Sequence, residues 1–587
     1  MSLQFITGNS GNGKTKYLFN RIVKEAKANP RDNYLVIVPE QFTMQTQRQL
    51  VDLSENKAIM NIDVLSFKRL AYRVFDELGI TNLTVLEETG KNLVLRKLAA
   101  QEADKLGVIG RNLNRIGYIS EVKSLLSELV QYNISPEELG RYIASGRLSD
   151  TLSDKLKDVL VLYEAFEKFM QDKYITAEEI LNVLSNVAEE SAILRNSVIA
   201  FDEFTGFTPI QNQLIKKLFV ISKKIYVTLT IDCREDIFKS RGMQELFDMP
   251  KRTVKSLTEM AAFYGIEVEE PIILDKNYRL AENEELSFME QQLFRKRRCS
   301  FKKVPKHIHI DCLRDPKQEL TKIARRINEL VRNENLRYRD IAIVTGDVNI
   351  YAGYVREIFD KYNIPYFIDA TQEILFHPFI EFIRSIPDIA AQHFSADAVF
   401  RFLRCGFSEL LDSEIDVLEN YVLACGVRGK SAWDKKWVRL PKHKAGYDLE
   451  LLNQSREYIM ELLKPVYQVF SDKKSTVKDY VLAIYKLIVL LDIPDKLAKK
   501  EQALLDAGDQ TASKEYGQIY KIVMQLFEKY VAVLGDECMD AEEFTQILDA
   551  GLDAADVAVI PPGYDTVTIG DIERTRLTNI KVMFLQA

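Results

Sequence analysis

Eight residues, Gly8-Asn9-Ser10-Gly11-Asn12-Gly13-Lys14-Thr15, constrain this 587-residue chain more than any others. They fit the spacing G-x-x-x-x-G-K-[ST]. Before them Gln4-Phe5-Ile6-Thr7 has the length and character of a buried strand, and after them Tyr17, Leu18, Ile22 and Val23 recur at helical spacing. Glycines let a backbone wrap closely, so that successive N–H groups and a helix N-terminus face an anion. All eight residues are therefore candidate nucleotide contacts. Lys14 is placed to reach the β- and γ-phosphates, and the Thr15 hydroxyl to ligate Mg²⁺. The cofactors expected from this stretch are ATP and Mg²⁺.

A chain of this length exceeds what one hydrophobic core usually supports, so several domains are expected. Hydrophobic residues make up 47% and charged residues 28%, ordinary for a soluble globular protein. No stretch approaches the roughly 20 apolar residues that span a bilayer, and no membrane partner is expected. The N-terminus runs straight into the first strand without a secretory signal. The six cysteines are scattered, with no C-x-x-C pair, which favours reduced thiols in the cytoplasm over disulfides or a zinc site. The five histidines show no metal-ligand spacing. A net charge of −7 gives no global basic field, although a local basic groove with aromatic faces suffices to grip a single strand.

Taken in order, Tyr34–Pro39 is a continuous β-branched run of the kind buried on both faces of a parallel sheet. Glu40-Gln41-Phe42-Thr43 follows at its end, where open α/β sheets place ligand loops, so Gln41 joins the candidate nucleotide contacts. Ile62–Phe67 is a further strand, leading into a helix with Leu70, Val74 and Phe75. From about 86 to 195 helical patterns replace the alternation, among them Val122–Val130 and Leu156–Met170, and the stretch is expected to be a helical insertion. The strand pattern returns at Ser197–Phe201 and ends in Asp202-Glu203. Opposite a phosphate loop, such a pair supplies a carboxylate for the Mg²⁺ shell, Asp202, and one that polarises the attacking water, Glu203. Lys224–Asp232 is the next core strand, with Asp232 a candidate sensor at its tip.

Residues 295–307 form the densest basic run, either a solvated linker or a strap that contacts phosphates. A second α/β unit is expected from His307–Asp311, with His307 and His309 as ordinary strand positions. Strands at Ile341–Thr345 and Ile364–Asp369 and a helix near 350–362 continue it, without a phosphate loop of its own. Helical patterns fill roughly 378–555. Within them Trp433-Asp434-Lys435-Lys436-Trp437-Val438-Arg439 suits base stacking or a packing edge. Strands at Asp565–Asp571 and Ile580–Leu585 close the sequence, which is expected to be the N-terminal part of a longer protein.

The expected fold is α/β, with two RecA-like P-loop NTPase domains of superfamily 1 helicase type, each bearing a largely helical insertion. The first would comprise 1–85 and 196–295 with insertion 86–195. The second would comprise 305–377 and 560–587, incomplete at its C-terminus, with insertion 378–559.

FITGNSGNGKT, LVIVPEQFT, DVLSFKRLAYRVF, KLKDVLVLYEAFEKFM, FDEFTGFTPIQ, IPYFIDATQEILFHPFIEFIRS and TIGDIERTRLTNIKVMFL run from one end of the chain to the other. Together they resemble the AddB (RexB-like) family, B subunits of ATP-dependent helicase/deoxyribonucleases, related to superfamily 1 helicases. The resemblance implies a subunit of a machine that processes double-strand DNA ends for recombinational repair. It implies an AddA-type helicase–nuclease partner that supplies the motor, and a part for this chain in engaging single-stranded DNA and reading a Chi-type sequence. It also implies a nuclease domain with a cysteine-ligated iron–sulfur cluster beyond these residues; neither is expected within them. Two departures stand out. The Gly-Asp-x-x-Gln motif of motors is missing after Thr230-Ile231-Asp232. The position of Thr-x-His…Lys-Gly-Leu-Glu is taken by Thr568–Leu577, and an arginine-finger motif would lie beyond Ala587. Nucleotide and Mg²⁺ binding are thus better supported than translocation. An autonomous ATP-driven motor and a vestigial scaffold for a partner are the other two readings.

Overall fold

In the computed structural model the described residues are all except 81–84, 87, 109, 111–117, 146–147, 172–173, 296–298, 370–371, 375, 441–446, 554–555, 558–564, 574, 576, 578 and 587. Lys296, Arg297 and Arg298 of the basic run, and Arg574 and Arg576 near the C-terminus, therefore lie outside the described residues. The chain divides into two units, one of residues 1–87, 105–109 and 121–310, the other of 88–104, 110–120 and 311–587.

The first unit is built on a seven-stranded sheet. Its strands are β1 (Ser2–Gly8), β2 (Tyr34–Ile37), β3 (Ile62–Leu65), β4 (Val198–Phe201), β5 (Lys224–Thr230), β6 (Glu267–Val268) and β7 (Ile272–Leu274). Their order is β3-β2-β4-β5-β1-β6, with β7 also on β1, and every pairing is parallel. Strand side chains alternate between two cores. Phe5, Ile37, Phe201 and Val227 pack on one face with Leu70, Leu184, Leu214 and Leu257 of four helices. Ile6, Val36, Ala200 and Tyr226 pack on the other with Leu18, Phe19 and Ile22 of helix Lys14–Ala28. Burial on both faces is why these strands read as continuous apolar runs. All connections being parallel, the loops that follow β1, β4, β5 and β7 share the carboxyl edge of the sheet.

The second unit holds a four-stranded parallel sheet of β8 (Ile341–Thr345), β9 (Tyr366–Ile368), β10 (Val567–Asp571) and β11 (Val582–Gln586), ordered β9-β10-β8-β11. Helices Pro316–Asn333 and Val348–Lys361 cover one face through Leu320, Ile327, Val355 and Phe359. A large helical core fills the rest, from Phe379 to Leu552, and takes in Leu93 of helix Glu88–Gln101.

One expectation changes and one open alternative is resolved. Residues 307–311 form no strand: they run past helix Glu284–Gln292, whose Glu285 carboxylate accepts the N–H groups of Lys306 and His307 at 2.8 Å each. With those donors satisfied by a side chain, no sheet partner is needed, and Ile310 is left 93% exposed. The tryptophans are packing residues. Trp433 is 0% and Trp437 7% exposed, edge to face at 5.2 Å, with Tyr421 stacked on Trp437 at 5.1 Å. Trp437 also donates its indole N–H to the Ala432 carbonyl at 3.0 Å. Rings spent on each other offer no face to a base. Among the described residues no helix is long and apolar enough to cross a membrane.

Candidate nucleotide-binding site

The loop leaves β1 at Gly8 and enters helix Lys14–Ala28 at Gly13. Gly11 and Gly13 take φ of 90° and 79°, in the left-handed region that glycine alone enters freely. A Cβ on Gly11 would come within 2.8 Å of Asn277 Oδ1 and 2.9 Å of Arg279 Cβ. As N-cap, Gly13 offers no side chain to the helix, so the first-turn N–H groups stay open to an anion.

Lys14 folds back into the loop, its Nζ donating to the carbonyls of Gly8 at 3.1 Å and Asn9 at 3.0 Å. Burial lowers its pKa from the ordinary lysine value; the Glu203 and Asp202 carboxylates oppose that shift, and Arg279 adds to it. These carboxylates arrive from β4, which β5 alone separates from β1. The Thr15 hydroxyl stands 3.3 Å from Asp202 Oδ1 and 3.3 Å from Glu203 Oε1. Asp202 is buried and also accepts from the Thr228 hydroxyl of β5, whereas Glu203 is exposed. Glu203 has φ of 65°, a strained position for a residue with a Cβ. Phe67, Phe201, Phe204 and Phe207, with ring centroids 5.2–6.3 Å apart, clamp the backbone around it. Behind them Thr208 and Gln211 form a reciprocal cap that starts the next helix.

Lys14, Thr15, Asp202 and Glu203 are thus brought together. Asn9 and Asn12 are buried structural members of the loop: the Asn12 amide donates to the Leu274 carbonyl, and Asn9 accepts from Cys233 N–H at 2.9 Å. Ser10 is exposed on its outer side. Gln41 stands exposed on the short turn Glu40–Phe42 after β2, and no side-chain hydrogen bond joins it to the loop among the described residues. Asp232 is held between two arginines. Burial pushes its carboxyl up, but the hydrogen bonds and charge of Arg234, with the charge of Arg295, bring it down to about 2. A carboxylate so committed anchors both arginines.

Sequence reasoning passed over Arg279. It follows β7, which pairs with β1, so the turn Asn277-Tyr278-Arg279 lies over the loop: Tyr278 N–H donates to Gly11 O at 3.0 Å and Asn277 Nδ2 to Ser10 O at 3.0 Å. Arg279 Nη1 is 3.5 Å from Ser10 Oγ. The available signal was Ile272-Ile273-Leu274, a short apolar run that ends in a polar, cationic turn.

Residues 5–290 match the family described as ADDB, N-terminal. The whole chain aligns with proteins named as B subunits of ATP-dependent helicase/deoxyribonuclease: at 39% identity with that of Lachnoclostridium phytofermentans, covering 52% of the relative. With those of Clostridium novyi and Caldanaerobacter subterraneus identity is 31% and 32%, each covering 51% of the relative. The chain spans about half the length of the curated relatives it matches. The phosphate loop, the paired carboxylates and the cationic turn all lie inside residues 5–290, the region similar to the N-terminal part of ADDB proteins.

Proposed function

We propose that this chain is the ATP-binding, helicase-like part of the B subunit of an AddAB-type helicase/deoxyribonuclease, built on two RecA-like domains. It works in the cytoplasm with an AddA-type partner at double-strand DNA ends, engages the single strand and reads a Chi-type sequence. The observation that carries the reading is the meeting of Thr15 with Asp202 and Glu203 at 3.3 Å beside the half-buried Lys14.

The hydroxyl and carboxylate oxygens are hard donors that fit Mg²⁺, with Thr15 and Asp202 as its holders. Bound there, the ion would neutralise charge on the phosphates. Lys14 exchanges the carbonyls of Gly8 and Asn9 for phosphate oxygens, and the loop N–H groups hold the chain of phosphates. Arg279, on the turn above the loop, adds a second positive charge. Glu203, exposed where Asp202 is buried, is placed to orient a water and accept its proton. Among the described residues no group of three or more His, Cys, Asp or Glu side chains is placed to hold a metal ion.

ATP turnover with and without single-stranded DNA tests the reading, beside Glu203→Gln. DNA-stimulated hydrolysis that falls about 10²-fold or more in the variant makes the chain a motor. Nucleotide binding without turnover makes it a nucleotide-held DNA reader. Absence of nucleotide binding overturns the site.

A further inference from the structure

Asn9 has two side-chain partners that belong to different parts of the first unit. Its Oδ1 accepts from Cys233 N–H at 2.9 Å, and its Nδ2 donates to Glu290 Oε1 at 2.6 Å. Glu290 lies near the end of helix Glu284–Gln292. Just past that helix, Arg295 returns to Asp232 with Nη2 2.9 Å and Nε 3.1 Å from Oδ2, its guanidinium over the Phe247 ring at 5.2 Å. Asp232 immediately precedes Cys233. The contacts therefore close a ring, from Asn9 to Glu290, through the helix end to Arg295, and back by Asp232 and Cys233 to Asn9.

The other end of the same helix holds the segment that follows. Glu285 accepts the N–H groups of Lys306 and His307, Lys303 pairs with Glu284, and Phe288 packs on Phe301 at 5.3 Å. The described part of the basic run is thus a strap laid along helix Glu284–Gln292, and that helix is tied to the phosphate loop at one residue. The same residue gives its carbonyl to Lys14. When Lys14 turns to a phosphate, Asn9 loses that donor, while anion contacts along the loop N–H groups fix its backbone. The loop residue that faces Lys14 is therefore also the residue that holds Glu290.

We infer that Glu290 and Arg295 are positioning residues of the phosphate loop, through which nucleotide occupancy sets the order of the strap at residues 299–307. The inference rests on the nucleotide reading of the loop. Neither residue touches the phosphates; both act through Asn9. In a closed ring that includes two charge-assisted bonds, loosening any one member strains the others.

Hydrogen exchange of the Lys306 and His307 amides reads the strap, and titration with a fluorescent ATP analogue reads the loop, both on this chain with Mg²⁺. A charge-assisted bond gained in order slows exchange about tenfold when nucleotide binds. Glu290→Ala, and Arg295→Met, which keeps an apolar stem on Phe247, are expected to bind nucleotide and to lose that slowing. Glu290→Gln keeps an acceptor for the Asn9 amide and is expected to keep it. Slowing that persists in both disruptive variants with nucleotide bound overturns the inference. So does a parent chain that binds nucleotide without any change at Lys306 and His307. A parent chain that binds no nucleotide sinks the nucleotide reading itself, and the titration distinguishes that case.

Discussion

The two parallel sheets each send a central strand into a helix, and the two turns could hardly differ more. After β1 the chain spends five residues, 9–13, before helix Lys14–Ala28, and the N-cap is Gly13, bare and left-handed. After β8 it spends two, Gly346 and Asp347, before helix Val348–Lys361, and Asp347 caps the helix with its own carboxylate, accepting from Asn349 N–H at 2.9 Å. The partial positive charge at a helix N-terminus attracts an anion in both places. The second unit fills it with a residue of its own, while the first leaves it open and sets a half-buried lysine beside it. Of the two turns, the first leaves its helix N-terminus without a side-chain cap.

The sharpest way to break this contrast is Lys14→Ala. Removing one partner of a desolvated charge pair costs on the order of 3–5 kcal/mol, so ATP affinity is expected to fall about 10²–10⁴-fold. Thermal unfolding without nucleotide should hardly move, because Lys14 donates only to two loop carbonyls. Unchanged affinity in a titration would show that the open N-terminus is not a phosphate site.

The contrast was half legible in the sequence. The phosphate loop has four fixed positions, and the apolar runs at Val36, Ile199 and Ile343 announce buried parallel strands because both faces are covered. What could not be read was what the sheet brings to the loop from far along the chain. Leu274, whose carbonyl takes the Asn12 amide, is 262 positions away, and Glu290 is 281 positions from Asn9. Parallel pairing of β7 with β1 creates those neighbours, and no local period records it. His307–Asp311 misled because alternation alone does not supply a sheet partner: the stretch forms no strand, and Glu285 takes the His307 N–H at its start. The tryptophan cluster was ambiguous because cations flank packing aromatics as readily as stacking ones, and only burial separates the two.

A third helix start sharpens the comparison through pH. His377 caps helix Pro378–Ala391, its Nδ1 accepting from Phe379 N–H at 3.1 Å, with its ring 4.4 Å from that of Tyr516. The residue is 4% exposed, and burial lowers its pKa to about 4. Protonation would remove the acceptor and bury a charge, so the folded state disfavours it. Stability is full above the unfolded value near 6.5 and is lost as pH falls through 4, by up to roughly 3 kcal/mol. His377→Asn keeps a capping acceptor without titrating. Its unfolding midpoint in urea should fall less between pH 7 and pH 4 than that of the parent chain. Equal losses in both would place the acid sensitivity elsewhere.

The smallest effect belongs to the turn without a nucleotide. Asp347→Ala removes the cap of helix Val348–Lys361 and should cost about 1 kcal/mol, the usual worth of an N-cap side chain. Asp347 is exposed, so little packing is lost with it. The decisive readout is a comparison of ligands: sulfate or ATP, added at concentrations that stabilise the parent chain through the first turn, should give the variant the same gain in unfolding midpoint. A larger gain in Asp347→Ala would mean that opening this N-terminus creates a second anion site. In that case the difference between the two turns would lie in one carboxylate and not in the length and glycine content of the loop. Because the turn of two residues leaves no run of N–H groups to surround an anion, the expected outcome is an equal gain.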